Sequence, residues 1–225
     1  MMAGTAPDFS QSGEVLRELL HSVSQPITTL HCALEHSLEL DEAGHSEDVC
    51  LALEQTDRVI EAVRLMREFL DAERGSCCAA PVPAGLVIEN VLKRLSVLAE
   101  ARGVRLFAYG ATKALVPVAE AWLERALCYL AGMLIEGAQF GAAIVVLLED
   151  GAAQPVISGH CLSARASLDL SRSAPVSNSL GQARVAIAQR ALESSGASVE
   201  SYSGDKPGFV VRLPKSRSAL KTLSA

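Results

Sequence analysis

Two side chains near the start of the chain, His21 and Gln25, have the type and spacing to do chemistry together. Residues four apart on a helix lie on the same face, one turn from each other. A neutral imidazole is a good nucleophile near pH 7, because the ordinary pKa of histidine is about 6.5. The Gln25 amide could hydrogen-bond an oxygen of a group attached to that imidazole. The two side chains thus offer a nucleophile and a hydrogen-bonding amide on one face of a helix.

The other histidines and the cysteines do not predict a second site. His31 and His36 are five residues apart, so together with Glu35 they make a poor set of metal ligands. The chain has six cysteines but no Cys-x-x-Cys pair, which argues against a zinc site and against a disulfide framework. We expect no bound metal, and reduced thiols in a cytoplasmic protein.

The composition excludes several classes of protein. The chain has 225 residues, which predicts one or two domains, and a formal net charge of −6, which argues against a nucleic-acid partner. No apolar run is long enough to cross a membrane, since a spanning helix needs about 20 apolar residues. Only 4% of the residues are aromatic, so the core must consist of aliphatic side chains.

Long helices must position His21. Apolar residues recur over 12–40 at alternating steps of four and three, a heptad pattern that places Leu20 in a core and turns His21 toward solvent. A second amphipathic helix follows a short turn and runs to about Glu73. The repeating apolar positions are Leu16, Leu20, Val23, Ile27, Leu30 and Leu34 in the first helix and Val49, Leu53, Thr56, Ile60, Val63 and Leu70 in the second. One hairpin cannot bury such a broad apolar face, so residues 12–74 predict a homodimeric four-helix bundle.

The rest of the chain has a different character. Residues 75–83 are rich in small residues and proline and predict a linker. Residues 84–214 then alternate helical and strand patterns, which predicts an α+β domain with helices on one face of a mixed sheet. Residues 1–11 and the basic stretch 215–225 are expected to be disordered tails.

The segment His21-Ser22-Val23-Ser24-Gln25-Pro26-Ile27 resembles the phosphoacceptor box of sensor histidine kinases, in which a histidine precedes a proline by five residues. Segments 85–106 and 179–214 resemble the start and the end of that family's ATP-binding domain. The resemblance covers residues 12–214. It implies that His21 accepts a phosphoryl group, that the hairpin dimerises and that an ATPase-type α/β sandwich follows.

The departures from the family are concentrated in the ATP site. The resemblance places Met133 where the family has a magnesium-binding asparagine, and the whole chain has only two asparagines, Asn90 and Asn178. A thioether is a poor ligand for Mg²⁺, which prefers oxygen. No acidic residue occurs from 151 to 168, so the adenine-binding aspartate is replaced, with Ser158 in the matching stretch. The positions of two glycines of the phosphate loop hold Ser177 and Ser179.

The residue after the histidine also differs, because Ser22 stands where the kinases have an acidic base. A neutral hydroxyl is a poor base at pH 7. The chain thus resembles dimeric histidine phosphotransferases, which have a degenerate ATPase domain. This resemblance implies that His21 carries a phosphoryl group between the aspartates of response-regulator receiver domains, without ATP or another cofactor. Gln25 would position the group, and the receiver would supply Mg²⁺.

Two alternatives stay open at this point. The chain could be an inactive pseudokinase scaffold that regulates a partner by binding alone, with His21 as a relic. It could also be a divergent enzyme that binds a nucleotide in another way. Transfer from a phosphorylated receiver distinguishes the first alternative from phosphotransfer, and binding of Mg·ATP tests the second. The sequence does not identify the receivers or the direction of phosphoryl flow.

Overall fold

The structure, a computed structural model, describes residues 9–39, 45–73, 80–110, 113–151, 153–162, 179–202, 204 and 206–215. The chain divides into two compact units. One contains Met1–Leu70 together with Ser177–Ala183, and the other contains Asp71–Val176 together with Arg184–Ala225. We call them the hairpin unit and the α/β unit.

Two long helices form the hairpin unit, α1 (Phe9–Glu39) and α2 (His45–Glu73). Each has a buried stripe at heptad-like spacing, and the stripes form the inside of the antiparallel hairpin. The buried residues among those described are Leu19, Ser22, Pro26 and Ala33 in α1 and Gln55, Ala62, Leu65, Glu68, Phe69 and Ala72 in α2. Leu20, which we expected in a four-helix core, is 59% exposed in the single chain. The inside of the hairpin uses the neighbouring stripe, which begins at Leu19.

After residue 80, the described chain forms three helices and seven strands, all in the α/β unit except for the first five residues of the last helix, 179–183, which are grouped with the hairpin unit. In chain order they are β1 (Val82–Pro83), α3 (Ala84–Ala101), β2 (Arg105–Gly110), β3 (Leu115–Val116), α4 (Glu120–Gly137), β4 (Ala143–Asp150), β5 (Pro155–Leu162), α5 (Ser179–Glu193), β6 (Ser198–Tyr202) and β7 (Gly208–Arg212). Strands β1 and β3 form a two-stranded antiparallel sheet. The other strands form a five-stranded sheet in the order β2-β4-β5-β7-β6. Strands β2 and β4 are parallel, and all other neighbours are antiparallel.

One face of the large sheet is covered by helices. Its side chains, among them Ile144, Ile157 and Val211, are buried in one core with residues of α3, α4 and α5. The opposite face includes Val145, Ser158 and Tyr109, which are half-buried or exposed. This alternation is the two-residue period of a sheet packed on one side. The predicted class, an α+β fold with a helical hairpin followed by an α/β sandwich, is confirmed.

Several predicted boundaries differ from the structure or lie outside the described residues. Helix α1 begins at Phe9, so the last three residues of the predicted tail 1–11 are helical. The predicted linker 75–83 ends in strand β1, and its residues 75–79 are not described. The described residues also leave out 1–8 and the tail after Lys215.

Candidate functional site

His21 lies on the exposed side of α1, as the sequence predicts. In the described part of the chain, no hydrogen bond or ion pair engages its imidazole. Gln25 is also exposed, one turn further along the same face. Both ring nitrogens of His21 are thus available to a partner that approaches from solvent, and the Gln25 amide stands beside them.

The backbone around this site is shaped by Pro26, which is buried within the helix. Proline has no N–H, so the carbonyl of Ser22 loses its ordinary donor four residues ahead. Nearby hydroxyls donate to carbonyls of the preceding turn: Ser24 to Leu20 at 2.9 Å and Thr28 to Ser24 at 3.0 Å. Such bonds hold polar side chains against a helix and tend to bend it. The segment after His21 is therefore a locally altered helix with its hydroxyl groups already bonded.

The residue after His21 faces inward. The Ser22 side chain is buried, and its hydroxyl donates a 2.7 Å hydrogen bond to the carbonyl oxygen of Leu19. This hydroxyl is a donor within its own helix and points into the hairpin. The sequence predicts that Ser22 cannot serve as the base beside His21, and its burial adds a second physical reason.

A second set of apolar side chains lies outside the hairpin interior. The heptad residues of α1 that are exposed are Leu20, Ile27 and Leu34, and those of α2 are Val49, Leu53, Ile60, Val63 and Leu70. Ile27 is 49% exposed and Ile60 is 61% exposed. We call these residues the outer stripes. They are the positions that the sequence assigned to a four-helix core, and a single chain leaves them in water.

The structure does not bring the predicted nucleotide positions together. Met133 is half-buried on α4, on the helix-covered side of the sheet. Ser158 pairs in register with Leu147, on the opposite face. The residue of β5 that faces the helices next to this point is Gly159, which is buried. The matching stretch up to Leu162 is strand rather than loop, because β5 runs to that residue.

The space beside Gly159 is filled by Phe209 of the neighbouring strand. A Cβ added at Gly159 would lie 2.2 Å from a carbon of the Phe209 ring, far closer than any real contact. Phe209 itself is 1% exposed. On the helix-covered face, the Phe209 ring thus occupies the space that a side chain at position 159 would need.

The remaining predicted positions lie at the start of α5. Ser177 lies outside the described residues, and Ser179 is the first residue of the helix. Further along α5, Arg184 donates to the Glu136 carboxylate at 2.9 Å, an ion pair that joins α5 to the end of α4. Across the residues that the structure describes, no group of three or more histidine, cysteine or acidic side chains could hold a metal ion.

Two features of the α/β unit were not predicted. The Tyr202 hydroxyl lies 2.8 Å from Nδ1 of His160 on the open face of the sheet, a pair that only the strand register brings together. Burial raises the pKa of the Cys128 thiol, with a smaller opposing effect from Arg94, whose guanidinium is bonded to Glu124. Burial likewise raises the pKa of Cys161. These thiols stay protonated near neutral pH and are weak nucleophiles.

Solved structures of histidine kinases resemble this fold. The Acinetobacter baumannii histidine kinase AdeS matches with a TM-score of 0.63 and 15% identity, over 86% of this chain and 97% of that one. The histidine kinase ThkA, solved in complex with the response regulator TrrA, matches with a TM-score of 0.70 and 14% identity, over 92% and 63%. Full-length ShkA in complex with AMPPNP matches with a TM-score of 0.55 and 14% identity, over 90% and 45%. The chain thus has the fold of a sensor histidine kinase core.

Sequence comparisons add no closer relative. No family model matches the chain, and no curated protein matches it significantly. No helix within the described ranges has both the length and the apolar character that crossing a bilayer requires. The fold therefore rests on the structure, and the function on the residues of the site.

Proposed function

We propose that this protein is a histidine phosphotransferase of a two-component phosphorelay, which carries a phosphoryl group on His21 between aspartates of response-regulator receiver domains. An unprotonated imidazole nitrogen attacks the phosphorus of the aspartyl phosphate, so a P–N bond forms as the P–O bond to the carboxylate breaks. The carboxylate is the leaving group, and the imidazole releases its other proton to water. A second receiver aspartate reverses these steps.

The observation that carries this proposal is the exposure of His21 on a helix of the histidine-kinase hairpin. Its imidazole is open to solvent, with Gln25 one turn away on the same face. Phosphoryl transfer depends mainly on positioning and on charge stabilisation. A receiver that brings its own aspartate and Mg²⁺ needs from this chain only a nucleophile in a fixed position. The complex of ThkA with a response regulator supports a receiver as the partner.

The α/β unit supports transfer without ATP. Met133 and Ser158 lie on different layers of the unit, and Phe209 fills the space beside Gly159. A thioether and a serine on the far face of the sheet cannot replace a magnesium ligand and an adenine acceptor. We therefore propose that the chain uses no nucleotide of its own and that Mg²⁺ arrives with the receiver.

We also propose that two chains form a homodimeric four-helix bundle through the outer stripes. Leu20, Ile27, Leu53 and Ile60 are each about half exposed or more, at heptad spacing on both helices. Large apolar side chains in such rows cost free energy in water, at about 25 cal/mol for each Å² left exposed. Bundling with a second hairpin buries all four rows in one core.

Transfer from a phosphorylated receiver tests the proposal. Purified receiver domains, labelled on aspartate with radioactive acetyl phosphate and Mg²⁺, are mixed with the full chain. We expect label on the wild-type chain and none on His21→Ala, because the nucleophile is removed while an exposed side chain leaves the fold unchanged. We expect Gln25→Ala to slow transfer without abolishing it. His31→Ala, another exposed histidine of α1, is the matched control and should transfer like the wild type.

Two results would contradict the proposal. Equal labelling of the wild type and His21→Ala would place the phosphoryl group elsewhere. Absence of label on the wild type, with receivers that bind it, would favour the pseudokinase scaffold. Calorimetric binding of Mg·ATP at micromolar concentration would overturn the proposal that the α/β unit binds no nucleotide.

A further inference from the structure

Glu18 is the only acidic residue within one helical turn of His21 along the sequence of α1. It precedes His21 by three residues, and residues three apart on a helix lie on the same face with their Cβ atoms about 5–6 Å apart. Side chains of a helix lean toward its N-terminus, so we expect the His21 imidazole over the turn that contains Glu18. Glu18 is half-buried, whereas Arg17, the other charged residue of this turn, is exposed. A carboxylate thus lies within reach of the nucleophile, although the residue after His21 is not acidic.

The Glu18 carboxylate is held by Gln182, in the first turn of α5, within the part of that helix that belongs to the hairpin unit. The Gln182 amide nitrogen donates to both carboxylate oxygens, at 3.0 Å and 3.1 Å. The orientation of this amide is assigned from the contact itself, because the opposite orientation would turn its oxygen toward the carboxylate. Among the described residues no cation pairs with Glu18. Its negative charge is therefore positioned by a neutral donor and is not neutralised.

The bonded carboxylate keeps room for a second donor. An ionised carboxylate has about four acceptor sites, and Gln182 occupies one on each oxygen. Glu18 can therefore also accept from the imidazole of His21, and rotation of the two side chains is enough to bring them together. In a neutral imidazole, the hydrogen bond that one nitrogen makes decides which nitrogen carries the proton. A carboxylate that accepts from Nδ1–H leaves Nε2 free to attack.

We propose that Glu18 is a positioning residue for phosphoryl transfer at His21, with Gln182 as its support. Glu18 accepts a hydrogen bond from Nδ1–H of His21 and so presents an unprotonated Nε2 to the aspartyl phosphate of the receiver. As the N–P bond forms and the P–O bond breaks, the receiver carboxylate leaves with the electron pair, and the Nδ1 proton passes to Glu18 and on to water. The reverse transfer returns a proton by the same route. This inference rests on the proposed function and adds to it the residue that orients the nucleophile.

Transfer rates of Glu18 variants test the role of the carboxylate. Single-turnover transfer from a radioactively phosphorylated receiver to the full chain is measured over a range of receiver concentrations. We expect Glu18→Gln to lower the maximal transfer rate by roughly ten- to a hundredfold and to leave the receiver concentration for half-maximal rate unchanged. Glu18→Asp keeps a carboxylate and should recover part of the rate. Gln182→Ala should lower the rate by about two- to fivefold, because Glu18 keeps its charge and loses only its support. Glu100→Gln, the same change at an exposed glutamate of α3, is the matched control and should transfer like the wild type.

The tautomer of His21 is a second readout, which a merely structural role of Glu18 would not change. Long-range nitrogen NMR of the full chain at about pH 8, above the ordinary pKa of histidine, reports which ring nitrogen carries the proton. We expect the Nδ1–H form of His21 to be enriched in the wild type and to give way to the Nε2–H form in Glu18→Gln. The reason is that a hydrogen bond to a charged acceptor is roughly twice as strong as one to a neutral acceptor. The signal that is missing in His21→Ala identifies the ring.

An unchanged maximal rate in Glu18→Gln, or the same tautomer in both chains, would overturn this inference while transfer at His21 stands. A change confined to the receiver concentration for half-maximal rate would also overturn it, because Glu18 would then act only in docking. Absence of label on the wild-type chain would instead contradict the proposed function. The tautomer measurement needs no receiver, so it would still decide whether Glu18 orients the ring.

Discussion

The hairpin unit and the α/β unit differ in which side chains they expose and which they bury. The hairpin unit carries an exposed nucleophile, His21, but leaves large apolar residues such as Ile27 and Ile60 in water. The α/β unit buries a continuous core around Leu130 and Ile144, but its predicted nucleotide positions do not meet. One unit exposes a nucleophilic side chain and rows of apolar residues, and the other buries a continuous core.

The difference teaches that packing and chemistry are retained separately. A helix-covered sheet is stabilised by the area it buries, and a methionine in place of a polar side chain leaves that area intact. A phosphoacceptor on a helix needs solvent access and a fixed backbone, which the hydroxyl bonds near Pro26 provide. Under the proposed function, the α/β unit serves as a structural or docking element while His21 carries the phosphoryl group.

The largest expected effect concerns the outer stripes. We expect the pair Ile27→Asp and Ile60→Asp to convert the dimer to a monomer, because two carboxylates per chain would have to enter an apolar core. The loss should be at least ~3 kcal/mol, roughly a hundredfold in the dimer dissociation constant. Sedimentation equilibrium of the full chain measures it.

A matched control separates this effect from general surface polarity. Leu86→Asp changes a half-exposed leucine of α3 that belongs to neither outer stripe. Its sedimentation should equal that of the parent chain. A dimer that survives both aspartates would show that the hairpin unit is complete by itself, and the comparison between the two units would lose its basis.

The second effect tests the packing of the α/β unit. We expect Gly159→Ala to destabilise this unit by about 1–3 kcal/mol, because its methyl group would overlap the Phe209 ring. Phe209→Leu removes that ring, so the double variant should lose less than the sum of the two single losses. Urea unfolding of the four chains measures this cycle. Strictly additive losses would mean that the two residues do not share one space.

The sequence predicted the elements better than their faces. The second helix was expected to run to about Glu73, and α2 ends at Glu73, because its apolar pattern is long. The face on which a residue lies is harder to predict, because a shift of one residue changes it. Leu19 and Leu20 are both apolar, so periodicity alone cannot say which one packs inside a single chain. Ser158 and Gly159 lie on opposite faces of β5, where a shift of one residue reverses the side chain.

The exposure of His21 was predictable, but its surroundings were not. Its position beside a heptad stripe fixed its direction toward solvent. The pairing of Tyr202 with His160, and the packing of Phe209 against Gly159, depend on strand order and register, which connect residues about 40–50 positions apart. Local pattern carries little information about such pairings, since each strand can be placed beside several others.

A smaller effect is expected at Ser22, beside the nucleophile. Ser22→Glu restores the acidic residue of the kinases, but the position is buried and its hydroxyl is bonded to Leu19. We expect a loss of about 1–2 kcal/mol in the free energy of unfolding, from desolvation of the carboxylate. Ser22→Ala removes the same hydrogen bond without a charge and should cost about 1 kcal/mol or less. Equal stability of Ser22→Glu and wild type, measured by urea unfolding, would show that position 22 opens to solvent.

The smallest effect concerns the ionisation and reactivity of the cysteine thiols in the two units. Burial raises the pKa of Cys128, so the folded chain keeps this thiol protonated while the unfolded chain ionises near pH 8.5. The stabilisation is present below that pH and is lost as the pH rises toward the raised pKa of the folded state. We expect stability to fall more steeply between about pH 8 and pH 10 in the wild type than in Cys128→Ala.

Iodoacetamide should also modify Cys128 more slowly than Cys32, which is exposed on α1. Equal pH slopes of the two chains and equal modification rates of Cys128 and Cys32 would mean that Cys128 is as accessible as a surface thiol. The α/β unit would then be no more closed than the exposed face of the hairpin unit.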